Sequence, residues 1–466
     1  MKSLLDKLFI RAFLFILFGF ITGIATAQQS LSLRQAVELA LRHYPSIQSR
    51  QAQVSVGKAV LEDTRHAWLP ALRLDEQVDA GTDNSLNSAY FPSGIIPSAS
   101  GGRRPDNNGN MSVGNIAAIA GDWEIYNFGG YKARTAEAGA ALRINEAGLD
   151  REKYNITSAV IQNYFELIKY ASLLLLQQKN IDRTDTIKHA IQAYINSGLK
   201  AGVDSSVAEA ELSKARLTYI EWANAYSLVK SRLALLTGLD TASVVPDTAI
   251  NAQLTGLLMP AVAPIDTFYL QHPFIRYYQS VYEDNLAQQR VIRKAALPKV
   301  ALMAAGWMRG SSISPLDEYK SLGTGLAYSR YNYLAGVGIT YNLFDIKRTQ
   351  YKLNIQKFRT QAAGQDVEEQ KLVLNNALQQ ADITIQSTVK KLDEIPLQVK
   401  AAGEAYGQKL ALYNAGLTSI VEVTNALYLL NRAETDAVYT NDEAWKAVFQ
   451  KAWAGNTIST LLSIFK

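Results

Sequence analysis

Two carboxylates, Asp204 and Glu422, are the side chains whose spacing first suggests a shared role. Each follows a glycine, Gly198 or Gly416, by six residues. A carboxylate placed just after a glycine turn stabilises the positively polarised start of the next helix. Two carboxylates at matching positions can also contribute to a common ring of negative charge, and the two interpretations are compatible.

The sequence offers no basis for enzyme chemistry. It contains no His-Glu-x-x-His zinc motif, no phosphate-binding P-loop, no Gly-x-Ser-x-Gly elbow and no cysteine. The four histidines, His43, His66, His189 and His272, are scattered, and we expect them to cap helices or lie on the surface rather than bind metal. We therefore predict no catalytic residue, no cofactor and no bound metal.

An internal duplication predicts the elements that position the two carboxylates. Two pairs of prolines are each 25 residues apart, Pro45 with Pro70 and Pro273 with Pro298. A second spacing places Gly198 72 residues after Tyr126 and Gly416 72 residues after Phe344. Because both spacings are kept between the halves, the chain contains one unit twice.

Each copy contains two segments with the alternating apolar pattern of strands, separated by a loop rich in Gly, Ser, Asn and Pro. The predicted strands are residues 69–79 and 111–126 around loop 80–110, and residues 297–308 and 333–345 around loop 309–332. The smallest membrane barrels have about eight strands, so four strands cannot close one. If these strands lie in a membrane, several chains must share one barrel.

The longest patterns are helical, with apolar or small residues at alternating intervals of three and four, as in a coiled coil. They predict helical hairpins over residues 131–238, with a tip at 198–204, and over residues 347–453, with a tip at 416–422. The first arm of each hairpin would be about 100 Å long. Pro396 falls on the apolar seam of the second hairpin and is expected to kink or break its helix.

The ends and the middle of the chain have their own patterns. Basic residues, an apolar run and an Ala-Thr-Ala site predict that residues 1–27 are a cleaved signal peptide. Its removal lowers the formal charge from +5 to +3, which gives no support to nucleic-acid binding. The first repeat covers residues 28–245 and opens with helices at 31–68. The second repeat covers residues 265–455 and opens with helices at 265–296. A linker at 246–264 joins the two repeats, and a C-terminal segment follows at 456–466.

Together these motifs resemble those of the TolC family of outer-membrane efflux proteins, over nearly the whole mature chain. The resemblance is carried by the duplicated proline spacing, by the Leu-Pro entry to each strand pair and by the two Gly-Leu tips. It is also carried by the segments that end the strand pairs, Tyr126-Asn127-Phe128-Gly129 and Leu343-Phe344-Asp345.

The resemblance implies a mainly α fold with a small β part. Duplicated long α-helical hairpins would form a trimeric α-barrel, and four strands per chain would contribute to a shared 12-stranded transmembrane β-barrel. The implied homotrimer lies in outer-membrane lipid of a Gram-negative bacterium, extends through the periplasm, and has a periplasmic adaptor and an inner-membrane pump as partners.

The function that follows is a passive exit duct of a tripartite efflux system. Two alternatives stay open. The chain could be the exit duct of a type I protein secretion system, or, in a different class, a soluble periplasmic coiled-coil scaffold with small β caps. An exported enzyme with an unrecognised site is the weakest interpretation.

The resemblance also assigns roles to residues at the tips. The tips that contact the adaptor correspond to Gly198, Leu199, Gly416 and Leu417. The periplasmic aperture would include Asp204, Glu422 and Asn425, with Tyr413 as a latch between helices. Asn425 stands where some family members have a further Asp, and Thr418 stands where an arginine latch can occur. These differences predict a weaker negative ring and a gate that opens more easily.

Overall fold

A computed structural model describes residues 30–84, 105–196, 202–248 and 271–465 of the chain. Several predicted features lie outside these ranges: the signal peptide, loop residues 85–104, the first tip with Gly198 and Leu199, and linker residues 249–264. None of the helices within the described ranges is long and apolar enough to cross a membrane.

The described residues form eight α-helices and four β-strands. The helices are α1 (Leu33–His43), α2 (Pro45–His66), α3 (Gly130–Asn196), α4 (Gly202–Thr237), α5 (Pro273–Ala295), α6 (Asp345–Asn414), α7 (Ile420–Ala454) and α8 (Ile458–Ile464). The strands are β1 (Ala71–Gly81), β2 (Ser112–Tyr126), β3 (Lys299–Ser311) and β4 (Arg330–Thr340). Short 3-10 helices cover Thr241–Ser243 and Leu322–Leu326.

The end of the fourth strand differs from the predicted boundary at residue 345. β4 ends at Thr340, because the following residues turn into the start of α6. The backbone N–H of Asp345 donates to the Asn342 carbonyl over 3.2 Å, and the Asn342 amide donates to the Asp345 carboxylate over 3.2 Å. A carboxylate in the first turn stabilises that helix start.

The two longest helices, α3 and α6, contain 67 and 70 residues. Of the predicted kink or break at Pro396, the break is wrong, because α6 continues through this residue as one helix, and the kink stays a prediction. Pro396 is exposed rather than seated on the apolar seam. Proline removes the amide that would bond to the Leu392 carbonyl. On an exposed helix face, water can satisfy that carbonyl instead.

The chain forms two compact units, and each draws on both sequence copies. One, the sheet unit, combines residues 52–148 and 277–368. The other, the helical unit, combines the described residues up to 51 with residues 149–276 and those from 369 onward.

The sheet unit contains one antiparallel sheet in the order β1-β2-β3-β4. Its register places Leu74 opposite Ile119, and Leu302 opposite both Trp123 and Val337. Because directly paired residues point to the same side of a sheet, these side chains share one face. The apolar face carries Leu72, Leu74, Val78, Ile119, Trp123, Leu302, Tyr331, Tyr333, Val337 and Ile339.

The opposite side of the sheet is the polar face. It carries Arg73, Asp75, Gln77, Asp79, Asp122, Glu124, Lys299, Arg309, Arg330 and Asn332. A small apolar cluster of Ile116, Ala118 and Trp307 lies among them. One carboxylate departs from the pattern, since Glu76 lies on the apolar face, where it accepts a hydrogen bond of 2.8 Å from the Tyr328 hydroxyl.

The helical unit is built on a core of large side chains from α1, α3 and α7. Trp445 is fully buried and stacks on Phe165 with ring centroids 5.3 Å apart. Tyr164 is also fully buried, and its hydroxyl donates to the Leu31 carbonyl over 2.7 Å and accepts from the Asp247 N–H over 3.0 Å. These contacts fix α3 against the segments before α1 and after α4.

His272 caps the start of α5, as expected for a histidine at a turn. Its Nδ1 accepts the backbone N–H of Phe274 over 3.2 Å, so the ring proton is on Nε2, which donates to the Trp453 carbonyl over 3.1 Å. The ring is fully buried and meets Tyr154 edge-on at 4.7 Å. Burial lowers the pKa of His272 to about 4, so the folded protein holds the ring neutral at neutral pH.

We predict that acid weakens the helical unit through this histidine. An unfolded histidine, with a pKa of about 6.5, binds a proton that folded His272 excludes. The stability that the neutral ring contributes is therefore present above pH about 6.5 and falls as the pH drops toward about 4, by about 3 kcal/mol in total. The measurement is denaturant unfolding of the detergent-solubilised protein at pH 7 and pH 4, beside His272→Asn, whose amide oxygen can still cap α5. An equal loss of unfolding free energy between pH 7 and pH 4 in the wild type and in His272→Asn would contradict the prediction.

Candidate functional site

The second tip of the sequence is a tight turn between α6 and α7. Gly416 has φ +76, a left-handed conformation that glycine adopts without strain. Its N–H donates to the Tyr413 carbonyl over 3.0 Å, and the N–H of Leu417 donates to the Leu412 carbonyl over 2.9 Å. This pair of bonds is the Schellman motif that ends a helix. The turn leaves the Leu417 side chain 74% exposed.

Tyr413 and Asp204, which the family resemblance assigned separately to the aperture, are in contact across the two hairpins. The Tyr413 hydroxyl donates to Asp204 Oδ2 over 3.3 Å. Tyr413 is only 2% exposed, while Asp204 is half-buried in the first turn of α4. Burial, together with the neighbouring carboxylate, raises the pKa of Tyr413 to about 12, so the hydroxyl stays protonated and remains a donor. This bond joins the end of α6 to the start of α4.

Glu422 has a different partner. Its carboxylate lies in the first turn of α7 and pairs with Lys409 Nζ over 2.9 Å, with both side chains exposed. This ion pair crosses the turn at Gly416 and joins the two arms of one hairpin. Asn425 is exposed one turn further along α7. The structure therefore brings Asp204 together with Tyr413, and Glu422 together with Lys409.

An apolar cluster supports both contacts, and we call it the tip cluster. It joins side chains from all four arms: Ile187 and Ile191 from α3, Ala208 from α4, Tyr413 from α6, and Ile420, Val423 and Leu427 from α7. The aromatic ring of Tyr413 is a member of this cluster, and the hydroxyl emerges from it toward Asp204. The position of the Tyr413 ring is thus fixed by packing.

Sequence reasoning missed the lysines that form ion pairs between the two arms of each hairpin. Lys409 lies seven residues before Gly416 and Glu422 lies six after it. In the other hairpin, Lys188 pairs with Glu209. Residues at nearly equal distances before and after a tip meet in an antiparallel hairpin, so oppositely charged residues at such positions were the signal available in the sequence. A second missed contact is a bidentate pair between Arg183 of α3 and Glu434 of α7, with distances of 2.7 and 2.9 Å.

The described residues contain no group of three or more His, Cys, Asp or Glu side chains able to hold a metal ion. The contacts described at the tip are a hydrogen bond and an ion pair near helix ends. Such contacts hold helices together while they are formed, and the helices can separate when the contacts break.

The comparison of the sequence with protein families and the comparison of the fold with solved structures agree with each other. The sequence matches the family described as outer membrane efflux protein over residues 36–239 and 275–446. No curated protein matches the chain in sequence.

Solved structures with the same fold include three named channels. The outer-membrane channel OprN superposes with a TM-score of 0.71 at 16% identity, covering 91% of this chain and 89% of that one. The outer membrane protein VceC from Vibrio cholerae gives 0.70 at 16% identity, covering 91% and 95%. The open state of the Neisseria gonorrhoeae MtrE outer membrane channel gives 0.68 at 17% identity, covering 91% and 89%.

Proposed function

The chain belongs to the outer membrane efflux protein family, and we propose that it is the passive exit duct of a tripartite efflux system. Three copies would assemble into one channel that crosses the outer membrane of a Gram-negative bacterium. A periplasmic adaptor and an inner-membrane pump would deliver the cargo and supply the energy.

The two faces of the sheet are the observation that supports this proposal. The apolar face of β1 to β4 is largely exposed in the single chain, with Leu74, Tyr333 and Ile339 among its most exposed members. A transmembrane barrel turns such a face to lipid and a polar face to its lumen. Four strands are too few to close a barrel. The family resemblance implies that three chains together supply the twelve strands of one barrel.

Aromatic side chains at both ends of β4 fit the same arrangement. Tyr331 and Tyr333 lie near its first residues, and Tyr341 and Phe344 follow its last, all of them exposed. Barrels of the outer membrane carry aromatic girdles at both lipid–water boundaries. A soluble scaffold would expose the same face to water at a cost of about 25 cal/mol for each Å² of apolar surface.

At the tips, we assign the gate to two contacts. The Tyr413–Asp204 hydrogen bond holds α4 against α6, and the Lys409–Glu422 ion pair holds α7 against α6. Release of both would free the starts of α4 and α7 to move apart. The exposed Leu417, with its counterpart Leu199, is assigned to adaptor contact.

The test of the duct is ion current through planar lipid bilayers that contain only the purified mature chain. Discrete conductance steps are expected without pump, adaptor or nucleotide, because a passive duct needs no energy source to conduct ions. A preparation that stays water-soluble and produces no steps would overturn the proposal.

A further inference from the structure

A polar cavity of about 170 Å³, open to solvent on one side, lies between α3, α4 and α7 of the helical unit. Its wall is unusual for a helix bundle, because most of the side chains are polar. They include Gln177 and Asn180 of α3, Glu211 and Lys214 of α4, and Tyr428 and Asn431 of α7. Polar groups buried in a bundle normally have hydrogen-bond partners. A buried polar atom of the wall that has no partner therefore shows which kind of group a ligand must supply.

Two acceptor atoms in this wall have no partner among the described residues. Gln177 is 1% exposed, and its Nε2 donates to the Ala215 carbonyl over 2.8 Å. That bond fixes the orientation of the amide, since a reversed amide would set two oxygens against each other. Gln177 Oε1 is therefore a buried acceptor without a donor, and Asn431 Oδ1 is another. The cavity needs a hydrogen-bond donor.

The wall already attracts one ammonium group, although loosely. Lys214 Nζ lies 3.9 Å from Glu211 Oε2 and 5.6 Å from the centroid of the Tyr428 ring. Carboxylates and aromatic ring faces both favour cations. The Lys214 side chain is 65% exposed, so it can leave this position for solvent at little cost. A second ammonium could take its place, and the net charge of the wall would be unchanged.

We propose that this cavity binds a small organic cation that carries a primary ammonium group. The ammonium donates to Gln177 Oε1 and Asn431 Oδ1 and displaces Lys214 from Glu211 and Tyr428. Water can also donate to the two amide oxygens and to Glu211, but it carries no charge, so it lacks the attraction to the carboxylate and to the ring face that an ammonium group gains. The bound cation links α3, α4 and α7. This site adjoins the tip cluster, since Leu427 belongs to both, but it does not include the residues of the two tip contacts and does not depend on the duct function.

The test is isothermal titration calorimetry of the full mature chain in detergent with n-propylammonium chloride, beside its neutral isostere 1-propanol. A ligand of so few atoms can reach a dissociation constant in roughly the millimolar range. We expect propylammonium to bind at least about tenfold more tightly than propanol, because only the cation gains from Glu211 and Tyr428. Equal binding of the two would mean that the cavity has no preference for a cation, and no binding of either would mean that it holds water only; each result would overturn the proposal.

Two variants have opposite expected effects, which a general loss of folding could not produce. Gln177→Leu removes the buried acceptor and weakens propylammonium binding about tenfold, as the loss of a hydrogen bond to a charged donor requires. Lys214→Gln removes the competing ammonium from an exposed position and strengthens binding severalfold. Lys230→Gln, further along α4 and outside the cavity wall, serves as the control and leaves binding unchanged. Unchanged binding in Gln177→Leu and Lys214→Gln would overturn the proposal.

Discussion

Val337→Arg is expected to reduce the amount of assembled protein in the outer membrane by more than tenfold. Val337 lies on the apolar face of the sheet and is exposed in the single chain. An arginine on the lipid side of a barrel costs about 2–4 kcal/mol near the middle of the membrane. Three chains carry three such side chains, so the effect on a trimer is multiplied. The measurement is the yield of the protein in purified outer-membrane fractions.

The neighbouring residue provides a matched control for this prediction. Gly336 lies on the polar face, and a Cβ added there meets no atom within 4 Å. Gly336→Arg places the same side chain one residue away, pointing to the opposite side of the sheet. The variant should reach the outer membrane at near wild-type levels. If both variants fail equally, or if both assemble, the assignment of lipid and lumen faces is wrong.

Tyr413→Phe is expected to raise the mean conductance of the purified channel about tenfold or more. The variant keeps the ring within the tip cluster and removes the hydroxyl that donates to Asp204. A hydrogen bond to a charged group stabilises by about 1.5–3 kcal/mol, and about 1.4 kcal/mol is a tenfold change in an equilibrium. Removal of the bond therefore shifts the gate toward its open state. The measurement is single-channel recording in planar bilayers at fixed salt.

Two further variants show whether the effect belongs to this hydroxyl. Tyr406→Phe alters a tyrosine that packs against the same cluster from two turns earlier in α6, and it should leave conductance unchanged. Lys409→Met breaks the exposed pair with Glu422, which is worth at most about 1 kcal/mol, and should have a smaller effect than Tyr413→Phe. Conductance that is the same in Tyr413→Phe and the wild type would remove Tyr413 from the gate.

The apolar periodicities predicted a mainly helical chain with four strands, because periods of about 3.6 and 2 show which side chains of a helix or strand share one face. Gly416 was recognisable as a helix end because few other residues tolerate its φ of +76. The contact between Tyr413 and Asp204 was not visible in periodicity, since the residues are 209 positions apart and belong to different copies. The family resemblance assigned each residue to the aperture but did not predict that the two are in contact.

Other features depended on geometry that a linear pattern does not contain. Pro396 was placed on the apolar seam, but the structure turns it to solvent, where a missing hydrogen bond is tolerated. Gln177 and Asn431 lie on different helices, and nothing in either local sequence marks them as members of one cavity wall. Packing across helices decides which polar residues are buried, and local sequence does not specify that packing.

The central claim is that three copies of this chain form one channel, and its most direct test is cryo-electron microscopy of the purified mature protein in lipid nanodiscs. We predict a threefold-symmetric particle in which three four-stranded sheets close one barrel, with the apolar faces toward lipid. The starts of α4 and α7 should converge on the threefold axis with Asp204 and Glu422 nearest to it. A monomer, or an assembly that leaves the sheet edges unpaired, would contradict the account.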